Sequence, residues 1–342
     1  MGIVLSVIGV VFMRPVSILL GATDAMIEDC VLYGRIVISF TAAYMLQNVF
    51  QSFLVAAEKP NLGLIATLAA GFTNMILDAV FVGVFRWGIT GAALATGISQ
   101  CIGGLLPLIY FIRPNNSKLR LTKASFELRP ILQACANGSS ELMSNVSASV
   151  VGIVYNFQLL KYLGENGVSA YGVLMYVQFI FIAVFFGYSI GTAPIVGFNF
   201  GAQRHSELKN MLRKSMLIMI SSGVFMMALA QLLASTLARI FVGYDPELME
   251  MTKHAFSLVS FSFILAGVNI YISSFFTALN NGVISAVVSF LRTLVFQASS
   301  VLILPIFFEL DGIWAAITVA ELCAAAISIF LLFANRKKYN YM

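Results

Sequence analysis

The sequence predicts an all-α polytopic membrane protein, a two-lobed bundle of parallel six-helix repeats with ten of twelve helices present. Three observations carry that prediction. Hydrophobic residues make up 60% of the 342 and charged residues only 10%, whereas soluble domains run near about 45–50% apolar and about 25% charged. Apolar runs of about 20 residues, the length a helix needs to cross the hydrocarbon core, recur along the whole chain. Matched segments also repeat at one offset: Gly21 with Gly243, Ser52-Phe53 with Ser274-Phe275 and Ala56 with Ala278 each stand 222 residues apart. Gly88-Ile89 falls on Gly312-Ile313 once two extra residues in the second copy are allowed for. A shared offset between apolar segments marks a duplication.

Ten spans follow in order, near 2–20, 33–57, 62–86, 91–112, 131–160, 168–200, 215–242, 255–279, 283–308 and 312–334. Period-2 alternation in short segments, the mark of a membrane barrel, is absent. Helices are the other spanning solution, because they satisfy every backbone polar group internally. The repeat distance encloses six helices, an even number, so both copies cross in the same direction and are expected to be related by an axis along the membrane normal. The stretch 129–222 that opens the second copy would have its counterpart before Met1. The expectation is therefore that the first lobe lacks two helices, through a misassigned start or a true truncation. The expected domains are 1–113, the remainder of the amino-terminal lobe with four helices; 114–130, a basic cytoplasmic linker; 131–335, the carboxy-terminal lobe with six helices; and 336–342, a cytoplasmic tail.

Charge sets the orientation. With Met1 on one side, that side collects thirteen basic residues: Lys59, the linker residues Arg113, Lys118, Arg120, Lys123 and Arg129, the loop residues Arg204, Lys209, Arg213 and Lys214, and Arg336, Lys337 and Lys338. The opposite side holds five, Arg14, Arg86, Lys161, Arg239 and Lys253, together with loop acids such as Asp24, Glu28, Asp29, Asp245, Glu247 and Glu250. Basic loops stay cytoplasmic, which predicts a cytoplasmic carboxy-terminus and a multi-pass protein of the plasma membrane, a bacterial inner membrane. This bias accounts for the net charge of +5, and nothing beyond it points to nucleic acid. Met1 runs straight into Gly2-Ile-Val-Leu5 without a basic segment, so no cleavable signal peptide is expected. Cys30, Cys101, Cys135 and Cys323 are scattered without a C-x-x-C pair and read as small apolar residues.

Enzyme signatures are missing. His205 and His254 fall in or beside loops on opposite sides of the membrane in this topology, so they cannot share a site. No G-x-S-x-G, H-E-x-x-H or P-loop occurs. The stretch Gly197-Phe-Asn-Phe-Gly-Ala202 ends a span before a basic loop and fits helix termination better than phosphate binding.

Ionisable groups inside a bilayer cost roughly 2.5–3.5 kcal/mol on insertion scales, so Arg35, Asp78, Glu141, Arg292 and Glu321 need reasons. Asn74 lies four residues before Asp78, on the same helical face, and Thr96 lies in the next, antiparallel helix at a matching depth. A carboxylate, an amide oxygen and a hydroxyl are hard oxygen ligands suited to a small cation or a relayed proton. An interhelical polar clamp without an ion uses the same three groups, and both readings stay open. Glu141 stands in the polar turn Asn137-Gly-Ser-Ser-Glu-Leu-Met-Ser-Asn145, where a carboxylate also complements a helix N-terminus. Arg35, Arg292 and Glu321 read as snorkelling or structurally paired groups. Tyr155, Tyr171, Tyr176 and Gln178, with Met143 and Met175, are either packing residues or the lining of a cleft for flat organic molecules, since Met and aromatic surfaces repack around varied ligands.

Taken together, Asn74-Met-Ile-Leu-Asp78 followed by Gly88-Ile-Thr-Gly-Ala-Ala-Leu-Ala-Thr96, the segment Pro194-Ile-Val-Gly-Phe-Asn-Phe-Gly-Ala202, Arg292, and Gly312-Ile-Trp-Ala-Ala with Glu321 resemble the multidrug and toxic compound extrusion (MATE) transporters over essentially the whole chain. The resemblance implies a two-lobed, non-enzymatic antiporter that exports cationic, often aromatic molecules in exchange for sodium ions or protons, with no other cofactor. It implies that Asn74, Asp78 and Thr96 match the cation-site residues of the amino-terminal lobe, sodium at Asp78 being the one metal to consider. Glu141 matches a carboxylate of the second lobe. Asn269 falls where some members carry an aspartate, leaving that site one charge short and its coupling weakened. A lipid-linked saccharide flippase of the same superfamily and a non-transporting remnant are the alternatives. Substrate identity, ion identity and oligomeric state stay open.

Overall fold

A computed structural model describes residues 2–19, 27–114, 117, 119 and 127–341. Gly21, Asp24 and the linker residues Lys118, Arg120 and Lys123 lie outside the described residues. The chain divides into two compact units, Met1–Ser125 and Phe126–Met342. The described residues form helices and no strands.

In the first unit, α1 (Gly2–Leu19) carries Pro15 inside. Next, α2 (Ile27–Ser39) opens on Glu28 and Asp29, whose charge complements the helix N-terminus. Glu28 also pairs with Arg14 of α1 at 3.0 Å, both side chains exposed. These acids explain why the second crossing begins earlier than the apolar run at 33 suggests. At Phe40 the chain bends by 47° into α3 (Thr41–Ala56). Pro60 then starts α4 (Pro60–Asp78), a position where its missing N–H costs nothing. The helix continues through one π turn, Ala79–Val84, and reverses at Arg86 and Gly88, both with positive φ.

The last helix of this unit, α5 (Gly88–Ile112), meets α3 and the bend before it through small residues. A Cβ on Gly104 would stand 2.7 Å from the Ala43 carbonyl oxygen, and one on Gly97 would run into the Phe40 ring. Lipid is as apolar as the helix surfaces, so close approach of small residues, rather than exclusion of water, holds such helices together.

The second unit begins with α6 (Leu128–Gly201), which reverses at Gly164 (φ 63°, ψ −152°). Its two limbs, Leu128–Gly164 and Asn166–Gly201, are each long enough to cross a membrane. There follows α7 (His205–Val242), on which Ala230, Ala234 and Ala238 form a buried small-residue stripe at a spacing of four. Asp245 caps α8 (Pro246–Val259) by accepting from the Glu247 and Leu248 amides. Past a 50° bend comes α9 (Ser262–Ala278). Asn281 caps α10 (Gly282–Phe290), whose π turn Leu291–Phe296 leads into α11 (Gln297–Tyr339). That last helix reverses at Glu309 (φ 49°, ψ −123°), and the Cα of Gly312 comes so close to the Leu304 carbonyl that a Cβ there would sit 2.5 Å from it.

By length and composition six helices can cross a membrane, or eight if each bent pair is one span. One of the six, Gly282–Tyr339, folds back at Glu309 and so crosses twice, and the 18-residue α1 is at the short end of the spanning range. The ten expected crossings are thereby accounted for among the described residues.

The duplication is visible in the backbone. In each unit a bent helix pair is followed by a helix carrying a π turn, a reversal with positive φ, and a helix that starts at or beside a glycine. The ends of α3 and α9 at Ala56 and Ala278, the left-handed residues Glu58 and Asn280, and the starts of α4 and α10 at Pro60 and Gly282 all differ by the same 222 positions.

Candidate functional site

Each unit encloses one acid within its membrane-spanning helices, and the two are treated differently. Asp78 is the last residue of α4 before the π turn. Such turns shift the phase of the side chains and are frequent at functional positions. Its Oδ1 is buried with no hydrogen-bond partner. Asn74, one turn earlier, and Thr96 on α5 are both half-buried, and no hydrogen bond joins either to Asp78. The clamp reading requires such bonds. A buried carboxylate oxygen without a partner is costly, and among the described residues no group of three His, Cys, Asp or Glu is placed to hold a metal ion. Asn74 shares a face of α4 with Asp78, and Thr96 stands on the neighbouring α5. On α5, the Gln100 Oε1 is likewise buried without a partner. The sequence reading passed over it because an amide in a span carries no charge.

The second acid, Glu321 of α11, is 2% exposed and fully engaged. Arg292, in the π turn after α10, donates from Nε to both carboxylate oxygens at 2.8 and 3.0 Å, and its terminal nitrogen forms an ion pair with Oε1 at 2.7 Å. Asn269 of α9 donates its amide to Oε2 at 2.7 Å and to the Glu321 main-chain oxygen at 3.0 Å. Thus Arg292 is paired rather than snorkelling. Asn269 is itself 0% exposed, with its Oδ1 buried and unpartnered.

Extending from this cluster is a hydroxyl ladder that the sequence reading missed. Ser273 bonds Ser285 at 2.8 Å and Ser289 at 3.0 Å, and Thr277 donates to Ser285 at 2.7 Å. Its signal is a spacing: Asn269, Ser273 and Thr277 recur every four residues on one face of α9, and Ser285, Ser289 and Arg292 follow similar steps across the partner segment.

Glu141 is exposed on the first limb of α6, and its main-chain oxygen accepts from Asn145. No hydrogen bond or ion pair joins Glu141 to Asn269, whose amide is spent on Glu321. The aromatic residues separate. Tyr155 and Tyr171 stack 4.9 Å apart, 6° from parallel, and are 1% and 8% exposed inside the core of the second unit. Their rings are packing, not cleft lining, because the reversal at Gly164 folds the two limbs of α6 against each other. Tyr176 is 67% exposed, and Met143, Met175 and Gln178 are half-buried. Arg35 donates to the Val10 carbonyl of α1 at 3.2 Å. His254 pairs with Asp311 at 2.7 Å, both exposed, and stays far along the sequence and the fold from His205 at the start of α7.

Six to eight apolar spans in two matched units, with charge enclosed among them, define a polytopic membrane protein of the kind that moves ions or solutes. The chain belongs to the MatE family, whose pattern matches residues 1–80 and 141–303, and is a MATE-type transporter rather than an enzyme. It is 23% identical over 348 residues to the multidrug export protein MepA of Staphylococcus haemolyticus strain JCSC1435, an alignment covering 99% of this chain and 74% of that protein. Over 352 residues it is 22% identical to the MepA of Staphylococcus saprophyticus subsp. saprophyticus, covering 98% of this chain and 74% of that one. Among solved structures it superposes on a MATE crystallised in complex with MaL6 at a TM-score of 0.93, with 19% identity over 100% of this chain and 77% of that chain. An outward-facing multidrug resistance MATE family transporter of the MOP superfamily gives a TM-score of 0.90, with 20% identity over 100% and 78%. These structures carry the fold.

Proposed function

We propose that this protein exports cationic or aromatic small molecules by antiport, with a sodium ion or a proton as the coupling ion and Asp78 as its principal ligand. The observation that supports this most directly is the buried, unpartnered Oδ1 of Asp78, beside Asn74 and Thr96 at the π turn of α4. Relatives named as multidrug export proteins support the substrate class. The basic loops support a cytoplasmic carboxy-terminus in a bacterial plasma membrane.

In this mechanism the cation neutralises Asp78 and favours one conformational state, while the substrate favours the other. Each ligand then drives the other off. The requirement is a differential affinity of each ligand for the two states, since a ligand that binds both equally shifts nothing. Asn74 and Thr96 supply neutral oxygens that hold a partly dehydrated cation, or orient the protonated carboxyl.

The test is efflux of a cationic dye from cells lacking their own pumps. Asp78→Asn is expected to reduce export to the level of cells without the protein. Full-rate export by Asp78→Asn would remove Asp78 from the scheme. In vesicles, imposing a sodium gradient and a pH gradient separately identifies the coupling ion, because only the coupled gradient accelerates export.

A further inference from the structure

We propose that Arg292 is a tethered counter-cation that occupies, permanently and from within the chain, the place beside Glu321 that an exchangeable cation or proton would otherwise take. The consequence for transport, that the acid of the second unit does not take part in ion exchange, rests on the antiport reading above. The pairing itself does not.

Three features carry the inference. The first is completeness. Both oxygens of Glu321 accept from the guanidinium within 3.0 Å, and Oε2 also accepts from Asn269, so no face of the carboxylate is left for another ion. The fork geometry of arginine matches a carboxylate in a way that a hydrated cation does not. The second is burial. Glu321 is 2% exposed, and the Arg292 side chain is 15% exposed. A charge pair taken out of water persists only when its polar groups are met, and both carboxylate oxygens of Glu321 are met here.

The third is the neighbourhood. The groups that face Glu321 are Arg292 from the π turn and Asn269 from α9, and among the described residues no other charged side chain is bonded to it. The Asn269 Oδ1 remains buried and unpartnered next to the pair, and the ladder of Ser273, Ser285 and Ser289 adjoins it along the same helices. An unpartnered amide oxygen beside a buried acid is the start of a cation site, with a guanidinium in place of the cation. Arginine cannot give up its proton in a protein, so this cation cannot be exchanged.

Infrared spectroscopy of the full chain in lipid nanodiscs and sodium-free buffer tests this without any transport assay. The reference is the Arg292→Met, Glu321→Met double variant, which removes both charges at similar volume. Between about pH 9 and about pH 5, a range above ordinary carboxylate values, the wild-type protein is expected to show no carboxylic-acid band beyond that reference. Arg292→Met alone leaves a buried carboxylate with no counter-charge and only the Asn269 amide to offset its lost hydration. It is expected to show a new carboxylic-acid band that grows as the pH falls and disappears when Glu321→Gln is added.

A wild-type acid band missing from the reference would overturn the proposal, as would an Arg292→Met protein without the new band. If Arg292→Met does not assemble, the comparison of wild type with the double variant still decides. Failure of dye export by the wild type would count against the antiport reading and leave these spectra unaffected.

Discussion

The two units were built on one plan and enclose one acid each, yet Asp78 of the first has a free buried oxygen while the Glu321 carboxylate of the second accepts three hydrogen bonds from side chains and pairs with a fixed cation. The contrast extends to packing. In the first unit α5 approaches α3 most closely at Gly104, where a Cβ would meet the Ala43 carbonyl. The second unit makes such an approach too, at Gly223 against the Phe263 carbonyl, and adds large buried side chains such as Phe185, Tyr271, Phe275 and Phe276 between its helices. Duplicated halves can therefore keep a backbone plan and divide the labour, one half holding an acid available and the other holding its acid closed. An available acid is a destabilising element that function requires. A closed one is structural.

The largest effect should come from opening the closed acid. Glu321→Gln leaves the Arg292 guanidinium buried without a counter-ion, and the expected loss is about 3–5 kcal/mol, seen as a lowered midpoint of thermal unfolding in detergent. The Arg292→Met, Glu321→Met double variant is expected to recover most of it. A loss of similar size in the double variant would mean that the pair does more than neutralise itself.

A middle effect tests the packing contrast. Gly104→Ala drives a methyl group against the Ala43 carbonyl and is expected to cost about 1–3 kcal/mol, read by the same melt. No loss would show that α3 and α5 can slide apart freely.

The smallest effect on stability belongs to Asp78→Asn. With no partner lost at Oδ1 and an uncompensated buried oxygen neutralised, stability is expected not to fall, even though export is expected to vanish. A large fall in melting midpoint would reveal a hidden partner for Asp78 and erase the distinction between the units.

Much of the fold was legible because lipid imposes a strong rule: every crossing must be a long apolar helix, and the offset of Ala56 and Ala278 showed directly in the residues. The bends at Phe40 and near Ser260 were not legible, since a continuous apolar run looks the same whether straight or broken. The start of the second crossing was hidden because Glu28 and Asp29 belong to a helix end rather than to the apolar stretch. In the candidate site, the spacing of Asn74 and Asp78 was readable, since it is a local property of one helix. The embrace of Glu321 by Arg292 and Asn269 joins positions 52 and 29 residues apart in the chain, and only tertiary packing selects those partners. Tyr155 and Tyr171 were ambiguous for the same reason: their contact depends on a reversal at Gly164 that one glycine does not announce.

The matched loops at Glu58 and Asn280 hold the same left-handed backbone, with φ of 61° and 58°, on very different residues. Asparagine settles there with little cost, while a glutamate does so less readily. What survived duplication is thus the number of residues between one helix end and the next helix start, not their identity. Connector length acts as the inherited ruler of this architecture.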